Sequence, residues 1–88
     1  MEKELLEKIE FLKGKNVRIN IKGFLEIGFN IRNLLYSCDK DILKLKDELK
    51  EAYITININQ IYKIQNRENK ISLSLDNDTM VELFIYTD

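Results

Sequence analysis

The chain has 88 residues, of which 44% are hydrophobic and 33% are charged, and it contains three glycines and no proline. That composition is typical of a folded globular domain and excludes a disordered or collagen-like chain; the length predicts one domain over residues 1–88 with a modest core. Fourteen basic against fifteen acidic residues give a net charge of -1, which argues against duplex DNA as a partner, because duplex-binding domains neutralise several phosphates with clustered cations.

The residue types that most often carry chemistry are scarce. The sequence has no histidine and one cysteine, Cys38, which removes the commonest general base and the usual zinc sites. It contains no phosphate-binding glycine loop, dinucleotide fingerprint, nucleophile elbow or HExxH motif. Its acidic residues stand beside lysines in patterns typical of solvated surface. We therefore predict that the chain is not an enzyme and uses no cofactor or metal.

The first ten residues are charged and amphipathic and lack the apolar core of a signal peptide. No run approaches the roughly 18 apolar residues of a membrane span. Small secreted domains often depend on disulfides, which a single cysteine cannot form within one chain. We expect a cytoplasmic protein with no membrane partner.

Apolar residues in the first segment recur at the spacing of a helix. The stripe consists of Leu5, Leu6, Ile9 and either Phe11 or Leu12. Gly14 follows the last periodic residue, where a helix stop signal belongs. The pattern predicts an amphipathic α-helix over residues 1–13.

The period changes to two after Asn16. Apolar residues alternate with polar ones at positions 17–21 and again at positions 25–31, which is typical of half-buried strands. We predict a first strand, a turn at Gly23 and a second, long strand in which Gly28 allows sharp curvature or a close backbone approach. The alternation slips at positions 33–35, as a bulge or bend would make it.

Residues 39–52 fit two patterns. Ile42, Leu45 and Leu49 lie on one helical stripe, whereas residues 42–46 also fit a short strand between a turn at residues 39–41 and a polar loop. We favour the second interpretation, in which the segment belongs to a hairpin.

The last third of the chain contains further strand signals. Residues 53–58 and 61–64 are rich in β-branched side chains and are separated by Asn59 and Gln60. After a polar turn at residues 65–69, residues 70–86 form a terminal hairpin. The expected total is six or seven strands.

The order of helix, strand, Gly23, four residues, Gly28, long strand and Asp39 resembles the Sm-like family of small β-barrels. The spacing of the two glycines is similar to that in the first Sm motif, and Asp39 followed by the apolar residues of 42–46 looks like the end of that motif. The resemblance covers residues 1–64 and favours a strand at residues 42–46. It implies a barrel that forms rings and that binds RNA or a nucleotide.

The predicted fold class is therefore mainly β with an N-terminal α-helix at residues 1–13. Residues 16–64 form a small, strongly bent sheet or an SH3-like or Sm-like barrel, and residues 70–86 add a C-terminal hairpin.

Two functions of different classes fit these features. The first is a non-catalytic protein-interaction module that binds a protein partner or a second copy of itself through exposed sheet edges and the amphipathic helix. The second is an Sm-like RNA- or nucleotide-binding protein. Its binding residues would be Asp39, Lys40, Asn59, Gln60 and Tyr62. The balanced charge favours the first function. The biased, histidine-free composition also suits a small inhibitor or adaptor from a phage or mobile element.

Two groups of side chains have both a functional and a structural interpretation. The aromatic residues could stack on bases or fill a partner's pocket, but most fit core or cross-strand positions; they are Phe24, Phe29, Tyr36, Tyr53, Tyr62, Phe84 and Tyr86. Basic residues near the first helix and strand could contact phosphates, although two of them also fit the solvent face of an alternating strand; they are Lys13, Lys15, Arg18 and Lys22.

Overall fold

The computed structural model describes residues 2–49 and 52–86, which form one helix followed by eight strands. The helix, α1, spans Glu2–Leu12. The strands are β1 (Val17–Lys22), β2 (Glu26–Ile31), β3 (Leu34–Asp39), β4 (Ile42–Asp47), β5 (Tyr53–Asn57), β6 (Ile61–Arg67), β7 (Lys70–Leu75) and β8 (Thr79–Ile85). A single 3-10 turn, Ile58–Gln60, joins β5 to β6.

The strands form two antiparallel sheets. One has five strands in the order β2-β1-β8-β7-β6, and the other has three in the order β3-β4-β5. The predicted mainly β fold with an N-terminal helix is confirmed, and the sheets do not close into a barrel. The predicted terminal hairpin, β7–β8, lies inside the larger sheet, because β8 pairs with β1 on one side and with β7 on the other.

The α-helix packs its apolar stripe into the core, as its spacing predicted. Leu5, Ile9 and Leu12 are buried, and the helix ends one residue before the predicted boundary. Gly14 follows with a φ of 80°, in the left-handed region that favours glycine. Its N–H donates to the carbonyl of Leu34 at 2.8 Å, which ties the end of α1 to the start of β3.

The predicted long second strand is divided into β2 and β3. Ile31 and Leu34 are both fully buried. Side chains three positions apart on a regular strand point to opposite faces, so the strand must be interrupted at the two residues between them. Asn33 makes this possible with a φ of 56°, a conformation that asparagine tolerates better than most residues. Its N–H donates to Asn16 Oδ1 at 3.2 Å. The slip in the alternation therefore marks a crossing from one sheet to the other.

The segment that fitted both a helix and a strand is a strand at positions 42–47. It forms a hairpin with β3 around Lys40, whose φ is 59°, and it buries Leu43, Leu45 and Asp47 in alternation. Positions 50 and 51 of the predicted polar loop lie outside the described residues. The preference for a hairpin at this point is confirmed.

Inner faces of both sheets and the helix contribute to one apolar core cluster. The alternating inner residues of the central strands are Val17 and Ile19 in β1, Leu73 in β7, and Val81 and Leu83 in β8. β6 runs to Arg67, beyond the predicted end at residue 64, so the turn into β7 is shorter than expected.

Leu45 and Leu49 distinguish the strand from the helix experimentally, because a helical stripe would bury both. Leu45 is fully buried, whereas Leu49 is 73% exposed. We expect Leu45→Ala to lower the free energy of unfolding by about 2–5 kcal/mol, as deleting a buried leucine does. Leu49→Ala should change it by less than about 0.5 kcal/mol. Urea unfolding of both variants measures the difference, and similar losses at the two positions would contradict the hairpin.

Candidate functional site

One edge of the five-stranded sheet is apolar and exposed. β2 is its outermost strand, and the loop that leads into it carries Phe24, which is fully exposed, and Leu25. Within the strand, Ile27 is 54% exposed and Phe29 is half-buried. These four side chains, with the outer backbone edge of residues 26–30, are called the β2 edge below.

The opposite edge of the same sheet has a different character. β6 carries the exposed cations Lys63 and Arg67, and its pairing with β7 shifts register between Ile61 and Lys63. Lysine, arginine and bulges are the features by which folded proteins keep an edge strand from pairing with another chain. The β2 edge has none of them within residues 27–31.

Arg18 lies over the outer face of β2. Its Nε donates to Asn20 Oδ1 at 3.1 Å and its Nη1 donates to Asn30 Oδ1 at 3.2 Å. Gly28 leaves the room for this arrangement, since a Cβ there would collide with the guanidinium and would lie 2.7 Å from Asn20 Oδ1. The predicted close approach at Gly28 is therefore an approach of the Arg18 side chain.

Glu82 is a buried acid on the outer face of the sheet. It is 3% exposed and pairs with Lys22 Nζ at 3.1 Å and with Lys70 Nζ at 2.7 Å. Burial by itself raises the pKa of Glu82, but hydrogen bonds and charges from the two lysines outweigh burial, so its pKa lies below the ordinary value. The carboxylate is thus a charged cross-link between β1, β8 and β7.

Four of the five residues predicted to bind RNA or a nucleotide belong to neighbouring turns. Asp39 and Lys40 stand at the tip of the β3–β4 hairpin, and Asn59 Nδ2 donates to Asp41 Oδ2 at 3.0 Å. The carbonyl of Asp41 also accepts from the N–H of Ile58 at 2.8 Å. Asn59 therefore helps to hold the two turns together, and two carboxylates accompany the single lysine there.

Gln60 ends the same 3-10 turn as Asn59, and Tyr62 follows two residues later on β6. Gln60 accepts from the N–H of Asp76 through its backbone carbonyl at 2.9 Å, and it lines a shallow depression between β5 and the five-stranded sheet. Tyr62 is 65% exposed on β6, in the other sheet from Asp39 and Lys40.

Two side chains that could act as nucleophiles, Tyr36 and Cys38, have raised pKa values. The hydrogen bond from the Tyr36 hydroxyl to Glu10, with burial and the glutamate charge, raises the pKa of Tyr36. Burial, followed by the charges of nearby carboxylates including Asp41, raises the pKa of Cys38, which lowers the reactivity of a thiol.

Within residues 2–49 and 52–86, no cluster of three or more histidine, cysteine, aspartate or glutamate side chains could hold a metal ion. Among the same described residues, no helix is long and apolar enough to span a membrane.

Comparisons with known proteins give no assignment, because no protein-family model, curated protein or solved structure matches the chain.

Sequence patterns did not identify the β2 edge. Alternation placed Leu25, Ile27 and Phe29 on one face with Ile31, but only Ile31 is fully buried. The signal that distinguishes the edge is the pair Phe24–Leu25 directly after Gly23, since two adjacent apolar residues in a hairpin loop cannot both face the core.

Glu82 generates a prediction about acid stability. The pKa of Glu82 is lowered in the folded protein. Its contribution to the free energy of unfolding is therefore complete above the ordinary glutamate pKa of about 4.3, and it is lost as the pH falls through the lower pKa of the folded protein. We expect Glu82→Gln to cost about 1–2 kcal/mol at neutral pH, since both lysine partners are partly exposed.

The free energy of unfolding of the two proteins should converge as the pH is lowered in a series of urea titrations. Glu7→Gln, which changes an exposed carboxylate on α1, is the control and should stay close to the original protein. A constant difference between Glu82→Gln and the original protein at every pH would contradict the assigned role of the carboxylate.

Proposed function

We propose that this chain is a non-catalytic interaction module that assembles with a second copy of itself through the β2 edge. The observation that supports this function is an outer strand with exposed apolar side chains, no lysine or arginine, and one charged residue, Glu26. An unprotected edge of this kind is a template for strand pairing. Pairing with a second copy buries the same surface on both chains, as two-fold dimers do.

The sequence of β2 is complementary to itself in the antiparallel direction. A two-fold axis through Gly28 places Ile27 opposite Phe29 of the second copy, an apolar pair on the inner face. The same register keeps the inner faces of the two sheets on one side. Phe24 and Leu25 continue the apolar surface beyond the strand. Their burial in the dimer would stabilise it in addition to the backbone hydrogen bonds between the two β2 strands.

Charges on the outer face support the same register. Glu26 is the only charged residue of β2, and it stands opposite Asn30 of the second copy, over which the guanidinium of Arg18 is already held. The two-fold axis creates this contact twice, so that two carboxylates accompany two guanidinium groups. Gly28 at the centre has no side chain of its own, and the guanidinium of Arg18 lies in the space beside it.

Substituting the central apolar residue tests the assembly. We expect the original protein to have twice the monomer mass at concentrations on the order of tens of micromolar, and Ile27→Lys to weaken the dimer at least about ten-fold, because a charge at an edge opposes pairing. Light scattering coupled to gel filtration measures the mass. Tyr62→Lys, an exposed aromatic residue on β6, is the matched control and should remain dimeric. A monomeric original protein would overturn the proposal.

A cross-link tests the register independently of affinity. In a Cys38→Ser background, we expect the double variant Glu26→Cys, Asn30→Cys to form disulfide-linked dimers under mild oxidation, since opposed cysteines on neighbouring strands have Cβ atoms within bonding range. Glu26→Cys alone should not be cross-linked. Non-reducing electrophoresis separates the products, and equal cross-linking by the single and double variants would exclude the register centred on Gly28.

The Sm-like alternative, with RNA or a nucleotide bound near Asp39, Lys40, Asn59 and Gln60, is the less favoured candidate. Two carboxylates at the β3–β4 turn stand beside one lysine, which disfavours a phosphate group there. A closed ring of more than two copies in the light-scattering experiment would support this alternative against the two-fold dimer.

A further inference from the structure

The outer face of the five-stranded sheet is basic although the chain as a whole is not. Strand register places five cations on this face, namely Arg18, Lys22, Lys63, Arg67 and Lys70. The carboxylates on the same face are Glu26 and Glu82, and Glu82 is already paired with two lysines. A local excess of positive charge remains for an anionic ligand.

Two aromatic side chains lie on this face among the cations. Phe84 is directly opposite Arg18 on one side and Lys70 on the other, and Lys70 Nζ is 5.2 Å from the centre of its ring. Tyr86 donates its N–H to the carbonyl of Asn16 at 3.0 Å, so the strand alternation continues and turns Tyr86 to the same side as Phe84. Both rings are half-buried, which fixes them and leaves part of each ring accessible.

Cross-strand neighbours then form one row of contacts. Arg67 is paired with Lys70, Lys70 with Phe84, and Phe84 with Arg18. At about 4.8 Å between strands the row is about 14 Å long, and among the described residues the one carboxylate paired with a member of it is that of Glu82, which contacts Lys70. The residues Arg67, Lys70, Phe84 and Tyr86 are called the aromatic corner below.

We propose that the aromatic corner binds single-stranded nucleic acid. Unpaired bases stack on protein aromatic rings with little dependence on sequence, and neighbouring lysine and arginine side chains contact the phosphates. A sheet face on which aromatic rings lie beside cations provides both contacts within a few nucleotides. Duplex DNA is not a suitable ligand, because its bases are stacked on each other and five cations neutralise few of its phosphates. The site does not require assembly through the β2 edge.

Fluorescence anisotropy tests the site with two labelled strands, oligouridylate and oligothymidylate. Each has about ten nucleotides, which is within the usual length range of such sites. We expect both to bind at about 0.05 M salt and to weaken steeply as salt is added. Phe84→Ala and Tyr86→Ala should each weaken binding from about five-fold to more than a hundred-fold. Arg67→Gln should reduce the slope of log affinity against log salt by about 0.7 if it contacts one phosphate.

Matched variants on the other sheet serve as controls. Tyr53→Ala removes an exposed ring from β5 and Lys46→Gln removes an exposed cation from β4, and neither should change the affinity. Binding of one labelled strand but not the other assigns the site to RNA or to DNA. Arg67→Gln and Tyr86→Ala keep the test valid if Phe84→Ala does not fold.

Three results would overturn the proposal. The first is no binding by the original protein at low salt, and the second is equal loss of affinity in the corner and control variants. The third is displacement of the labelled strand by polyglutamate as effectively as by unlabelled oligouridylate, since an acidic peptide meets the cations but has no bases to stack.

Discussion

Pairing of the last strand with the first is the contact on which the larger sheet depends. β8 and β1 are matched over six residue pairs, from Val17 with Ile85 to Lys22 with Met80. Without this contact the sheet would separate into the β6–β7–β8 meander and the β1–β2 hairpin, and an isolated two-stranded hairpin is marginally stable at best. Pairing the first strand with the last closes a long loop, and the entropy of loop closure is lost before the contact contributes any stabilisation. The inner faces of both strands therefore carry fully buried residues such as Ile19 and Leu83.

Glu82 gives that contact its register. A one-residue slip between strands turns every side chain to the opposite face, and here it would turn a charged carboxylate into the apolar core, where an unpaired charge is very costly. In the observed register the carboxylate lies between Lys22 and Lys70. Buried ion pairs contribute less to stability than their charges suggest, because both partners lose solvent. Excluding the slipped register is the role that the location of Glu82 supports.

Local patterns in the sequence were sufficient for the elements but not for their partners. The helix, the β3–β4 hairpin and the terminal hairpin follow from periodicity, glycine and turn residues that act over a few positions. The division of the predicted long strand into β2 and β3 at Asn33 could not be predicted, because a bulge and a crossing between sheets interrupt the alternation of apolar and polar residues in the same way. The exposure of Ile27 could not be predicted either. Alternation shows which side chains share a face of the strand, but it does not show whether another element covers that face. Four of the five predicted binding residues lie in two neighbouring turns, whereas Tyr62 belongs to a different sheet from Lys40.

The two edges of the larger sheet together limit what assembly can produce. An open-ended stack of sheets needs two edges that accept partners, one on each side of the chain. β6 has Lys63, Arg67 and a register shift, so addition of a strand there is disfavoured by charge and by geometry. β2 has none of these protections within residues 27–31, and a two-fold contact uses up the β2 edge of both chains at once. Under the proposed pairing, assembly through this sheet alone would therefore stop at two copies. The same cations that disfavour strand pairing at the β6 edge belong to the basic outer face, so one placement of charge serves both proposals.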